Sequence, residues 1–159
     1  MTHLFTIGVY SKSESEFFEA LAAAGIDTFC DVRNRRGMRG SQYAFVNSAR
    51  LQARLASMGI SYCHFKELAP PDEIREAQRR EDILTGSGKR SRTTLGEAFK
   101  RLYDSHCLSG FNSEEFLHRL GTDARRVVLF CVEGAPEACH RSLLATRIAA
   151  DLSVPVTHL

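Results

Sequence analysis

The stretch HLFTIGVYSKSESEFFEALAAAGIDTFCDV, residues 3–32, decides the fold. His3 to Val9 is a short apolar run and reads as a largely buried strand. Ser13 or Ser15 then stands before an acidic first turn, and Phe17, Phe18, Leu21 and Ala24 recur at helical spacing. Gly25 follows as a helix-ending residue. Ile26 to Val32 is a second apolar run, so the chain has made strand, helix and strand. Two strands separated by one helix imply a right-handed parallel crossover.

Working outward, a basic, glycine-containing loop runs from Arg33 to about Val46. Asn47 or Ser48 caps a helix carrying Leu51, Leu55 and Met58, which ends at Gly59, and Ile60 to Phe65 reads as a third strand. Residues 66–94 break this rhythm with Pro70-Pro71, a polar helix over Asp72 to Leu84, and Gly86-Ser87-Gly88. They read as a polar, mobile insertion or lid. Helical patterns return at Leu95 to Tyr103 and Ser113 to Leu120. Arg126 to Val132 is a fourth strand, and a last helix is expected over Pro136 to Leu152, with Pro136 at its first position. Val154 to His158 is a candidate closing edge strand. The expected architecture is one α/β domain over residues 1–159. Its sheet is open and mostly parallel, of four to five strands with helices on both faces, plus the polar insertion.

Composition narrows the classes. The 159 residues are 43% hydrophobic and 25% charged, ordinary values for a globular chain. No apolar run approaches the roughly 20 residues of a membrane helix, and no basic leader precedes an apolar stretch at the N-terminus. Five cysteines without framework spacing read as reduced thiols, so a cytoplasmic location is expected. The net charge of +2 does not mark a nucleic-acid binder. Its distribution is more informative. Arg33, Arg35, Arg36 and Arg39 form one basic segment, and Arg79, Arg80, Lys89, Arg90 and Arg92 form a second, each dense enough to attract phosphates locally.

Ligands of open α/β sheets bind beyond the carboxyl ends of the strands. The first strand delivers Gly8 and Tyr10 there, the second Asp31 and Arg33, the third His64, Lys66 and Glu67, and the fourth Cys131 and Glu133. Cys139, His140 and Arg141 open the last helix nearby. Arg141 shares the apolar stripe of Leu144, Ala145 and Ile148, and a cation in a first turn opposes the helix dipole. Either a ligand anion or an internal carboxylate, Asp31 or Glu133, is expected to meet it. Cys139, beside His140 and Arg141 at a helix start, is the best candidate thiolate, set against a role as a small packed thiol. Asp31 and Glu133 are a candidate acid–base pair.

Four other chemistries fail on spacing. The phosphatase loop needs an arginine six residues after its cysteine, and Glu137 stands six after Cys131. Neither a dinucleotide fingerprint nor a Walker sequence is present. Cys63-His64, Cys131 and Cys139-His140 offer soft ligands, but no C-x₂-C pair exists, so neither a metal centre nor a cofactor is expected.

Thr6-Ile7-Gly8, Asp31-Val32-Arg33, Glu67-Leu68 and Cys131-x-Glu133-x-x-Pro136-x-x-Cys139-His140-Arg141 together resemble the family called domain of unknown function 488. The resemblance covers nearly the whole chain in order. It implies a compact α/β domain with the matching residues lining one pocket, and it implies no reaction. Two loops depart from the family pattern. No proline follows Asp31-Val32-Arg33, and Ala69-Pro70-Pro71 replaces paired glycines after Glu67-Leu68.

The reading that follows is an enzyme, a hydrolase or transferase acting on a phosphate-bearing substrate such as a nucleotide or nucleic acid. Asp31, Glu133, Cys139 and His140 are its candidate catalytic residues, and Gly8, Tyr10, Arg33, Arg36 and Arg141 its candidate ligand-binding residues. The alternative is a non-catalytic anion- or nucleic-acid-binding module using the same arginines. A concave pocket containing a carboxylate of raised pKa favours the enzyme, and a flat basic surface favours the module.

Overall fold

A computed structural model describes residues 1–159. Five strands, β1 (His3–Ile7), β2 (Thr28–Asp31), β3 (Ser61–His64), β4 (Arg126–Phe130) and β5 (Val156–His158), form one sheet in the order β3-β2-β4-β1-β5. Every pairing is parallel, and β5 adds to β1 as the closing edge strand expected over Val154 to His158. The helices are α1 (Glu14–Ala23), α2 (Ser48–Ser57), α3 (Asp72–Thr85), α4 (Glu97–Tyr103), α5 (Ser113–Leu120) and α6 (His140–Leu152). None is long and apolar enough to cross a membrane.

The topology decides which face each helix covers. From β1 through β2 to β3 the chain moves toward one edge, and from β3 through β4 to β5 it moves back. Right-handed crossovers therefore put α1 and α2 on one face and α3 to α6 on the other. The segments leaving β4 and its neighbours β1 and β2 part in opposite directions. A crevice opens at the carboxyl end of β4 for that reason, the switch point at which open parallel sheets hold ligands.

Local chemistry agrees with this course. Ser13 and Glu16 form a reciprocal capping box, with the Glu16 amide donating to Ser13 Oγ at 3.1 Å and the Ser13 amide to Glu16 Oε2 at 2.9 Å. Gly25, at φ 61°, turns the chain out of α1 in a conformation that L side chains rarely adopt. One feature differs from the sequence expectation. Pro136 opens a separate 3₁₀ turn, Pro136–Ala138, and α6 starts only at His140. Cys139 between them is extended, at φ −137° and ψ 144°, and is the N-cap of α6. Proline suits the first position of the turn for the same reason it suits that of a helix, its missing N–H.

The core is one contiguous cluster of 37 buried residues. On the α1 side it is aromatic. The Phe17 ring lies 5.2–6.3 Å from the rings of Phe18, Phe29, Phe45 and Phe130, joining α1 to β2, β4 and the loop before α2. Phe17 is fully buried, and truncating it leaves a cavity that four other rings line. Phe17→Ala is expected to cost about 3–5 kcal/mol, read as a lowered denaturation midpoint with unchanged slope.

Candidate functional site

Residues of β2, β3 and β4 in register share a face, because side chains alternate along each strand. Asp31, His64 and Phe130 are such a trio. Asp31 is fully buried and is gripped by Arg33, whose Nε donates to Oδ1 at 2.9 Å and whose Nη2 donates to Oδ2 at 2.7 Å. The guanidinium lies 4.7 Å from the Phe130 ring centroid. The Tyr62 hydroxyl donates to Asp31 Oδ2 at 2.7 Å, and Arg36 donates to that hydroxyl at 3.3 Å. Burial pushes the Tyr62 phenol up to about 12, with Arg36 pulling it down and Asp31 adding to the rise. His64 Nε2 lies 2.7 Å from the Arg33 carbonyl oxygen and fixes the start of the basic loop.

The segment leaving β4 meets a different set. Glu133 is 5% exposed, and its Oε1 accepts from Arg92 Nη2 at 3.0 Å, while Oε2 is buried without a partner. Burial pushes this carboxyl above its ordinary range. The Cys131 thiol adds to the rise, and Lys89, His140 and Cys139 oppose it. Arg92 also reaches Asp82 Oδ2 at 2.9 Å and the Ala138 carbonyl at 3.2 Å, so one guanidinium joins the end of α3, the end of β4 and the 3₁₀ turn. Cys139 Sγ lies 3.7 Å from His140 Nδ1, and His140 Nε2 lies 3.1 Å from the Val32 carbonyl oxygen. Hydrogen bonding to Cys139, with burial behind it, raises the Cys131 thiol to about 11.

Arg141 pairs with neither Asp31 nor Glu133 side chain, the two internal partners expected from the sequence. Asp31 is taken by Arg33 and Glu133 by Arg92. Arg141 instead donates from Nη1 to the Glu133 carbonyl oxygen at 2.6 Å and from Nη2 to the Gly134 carbonyl oxygen at 3.0 Å. Backbone carbonyls here meet two nitrogens of a cation that is 1% exposed, while its Nε is buried without a partner. Gly8 completes the contact. A Cβ at that position would overlap the Glu133 carbonyl oxygen and crowd Arg141 Nη2, so only glycine lets β1 pass this close to the end of β4. Tyr10 is buried just beyond, its ring 5.3 Å from that of Tyr43, with the Arg90 guanidinium 5.5 Å from its centroid.

A cleft of about 670 Å³ opens at the carboxyl end of β4. Cys131, Glu133 and His140 lie on its floor, and α3 with the segment after it supplies a wall that includes Arg75, Arg79, Lys89 and Arg92. An adjoining cleft of about 270 Å³ shares Arg75, Arg79, Lys89 and Cys131, and Arg33 lines it. Of the other candidates, Gly8, Tyr10, Asp31, Arg36, Cys139 and Arg141 line neither cleft.

Two contributors went unread in the sequence. Arg92 was visible only as one cation of a basic loop. Gln78 is 3% exposed and donates to Asp82 Oδ1 at 2.8 Å, while its Oε1 accepts from the Gly96 amide at 2.9 Å. The available signal was Ile74, Gln78 and Asp82 at spacing four, one face of α3 that is buried but two-thirds polar.

These features define a parallel α/β domain with a basic cleft at its switch point, floored by a thiol, an imidazole and a carboxylate. The chain belongs to the family described as Domain of unknown function DUF488, which matches residues 13–148. No curated protein and no solved structure matches it.

Removing the Arg141 guanidinium orphans two carbonyl oxygens and one clasp, so Arg141→Ala is expected to cost about 3 kcal/mol or more. Gly8→Ala forces the same backbone apart and is expected to cost about 3 kcal/mol. The two sites share contacts, so the double variant should lose less than the summed single losses. Urea melts of the three proteins check this, and strict additivity would contradict the shared clasp.

Proposed function

We propose that the cleft holds the phosphate-bearing part of a nucleotide or nucleic acid, and that the chain acts on it as a hydrolase or transferase. One observation carries the reading. Five cations, Arg39, Arg75, Arg79, Lys89 and Arg92, line a single concave cleft whose only two carboxylates, Asp82 and Glu133, are both engaged by Arg92. Arg79 pairs with exposed Glu76, and Arg39, Arg75 and Lys89 pair with no carboxylate. Cations gathered in a concavity raise the local concentration of anions and, when they meet phosphate oxygens, make charge-assisted hydrogen bonds.

Concavity supports the enzyme over the flat module, since an enclosed ligand meets side chains able to act on it. Glu133, Cys131 and His140 reach the cleft floor and are the groups there able to move a proton or attack. One feature favours the binding-module reading. Arg92 holds Glu133 Oε1, an arrangement in which the carboxylate orients a cation rather than moving a proton.

Binding and turnover separate the two. Tripolyphosphate and short oligonucleotides are expected to bind with an affinity that falls steeply with salt. Lys89→Ala and Arg75→Ala are each expected to weaken binding about tenfold, about 1.4 kcal/mol. Glu133→Gln should retain binding and abolish release of phosphate or of a transferred group. Full binding with no turnover of any phosphate ester by the unaltered chain would leave the module. Absence of salt-dependent binding would remove both readings.

A further inference from the structure

Cys131 Sγ, Cys139 Sγ and a ring nitrogen of His140 all lie within 4.8 Å of one another, and all three residues are buried. We propose that these three side chains form a binding site for one zinc-type divalent ion, with its fourth position open to the cleft beside Glu133. Two thiols and an imidazole are the donor set of tetrahedral zinc centres that keep one position for water or substrate.

The geometry supports this beyond proximity. His140 Nε2 sits 3.1 Å from the Val32 carbonyl oxygen, which can only accept, so Nε2 carries the proton. That leaves the lone pair on Nδ1, the nitrogen turned toward Cys139 Sγ at 3.7 Å. A ring N–H held by a backbone carbonyl is the outer contact that metal-binding histidines make almost always. Bond lengths of about 2.3 Å to sulfur and about 2.0 Å to nitrogen place tetrahedral donors about 3.5–3.8 Å apart. The Cys139–His140 separation already has that value, and the whole set closes on an ion with about 1 Å of side-chain movement.

The fourth direction is also prepared. Cys131, His140 and Glu133 line the cleft, whereas Cys139 closes the site from behind. Glu133 Oε2 is buried and without a hydrogen-bond partner, an oxygen in want of a cation or a polarised water. The ligands come from the end of β4 and from the N-cap and first residue of α6, so their sequence spacing follows the 3₁₀ turn rather than a close-pair pattern. Binding exchanges the two thiol protons for the ion and releases them to solvent, with no oxidant or reductant involved.

Cobalt(II) tests the site in the metal-free, reduced full-length chain. One equivalent is expected to bind, with a thiolate-to-cobalt charge-transfer band and the strong visible bands of a tetrahedral ion, both removed by zinc. Cys139→Ser and Cys131→Ser should each lower affinity by more than the roughly tenfold to hundredfold that outer-shell changes cost. Cys63→Ser, whose thiol neighbours Cys30 in the sheet, should leave the spectrum intact. Absence of a thiolate band in the unaltered chain overturns the site without recourse to any variant. So does a band that survives in a folded Cys139→Ser protein, or formation of a Cys131–Cys139 disulfide under mild oxidation with no metal uptake after reduction. Tripolyphosphate binding by the metal-free protein is measured in parallel. Its persistence beside a negative cobalt titration would remove the metal site alone, and its loss beside a positive titration would remove the phosphate reading alone.

Discussion

The close approach of β1 to the end of β4 is the constraint on which the rest of the site depends. Gly8 has no side chain, so the Glu133 carbonyl can lie against it, and Arg141 holds that carbonyl together with the next one. The backbone amides of Val9 and Tyr10 close the same junction by donating to the Val132 carbonyl oxygen at 3.1 and 3.0 Å. With the backbone fixed there, the Glu133 side chain faces the cleft, and Cys131 comes to stand beside Cys139 and His140. The cation for which the sequence left a ligand anion or an internal carboxylate as partner holds two carbonyl groups and clasps the backbone beside the floor.

Charge is apportioned around this clasp in separate cells. Arg33 is spent on Asp31 on the α1 side of the sheet, and Arg92 is shared between Asp82 and Glu133 on the other. Breaking either buried pair strands a charge in a medium that solvates it poorly, so these pairs hold local geometry whatever their net worth. The cations of the cleft wall are different in kind. Arg75, Arg79 and Lys89 sit on α3 and the segment after it and Arg39 on the loop after β2, all reaching water, and Arg39, Arg75 and Lys89 form no ion pair. A binding surface for an anion has this form.

Much of the fold was legible because its signals are local. Apolar runs at strand length, helical periodicity and the Ser13 and Gly25 stops each act within a few residues, and the strand–helix alternation then leaves a parallel sheet as the economical outcome. Even β5 was visible as a candidate edge strand after the last helix. The start of α6 was misread because Pro136 satisfies a 3₁₀ turn as readily as an α-helix. The site was less legible for a physical reason. Which carboxylate each arginine meets depends on faces and distances that only the assembled sheet sets, so Asp31 found Arg33 two residues away while Arg141 found carbonyl groups. Glu133 found Arg92, 41 residues earlier, through a segment that the sequence marks only as polar. The Cys131, Cys139 and His140 cluster is likewise a product of the turn between strand and helix.

Amide hydrogen exchange with and without inorganic tripolyphosphate bears most directly on the claim that the cleft at the end of β4 is the functional site. The account predicts added protection confined to residues 75–92 and 131–140, the α3 wall and the floor of that cleft, and to the loop at Arg39. Protection spread over exposed basic residues elsewhere, or none in these two segments while the anion is bound, would contradict it.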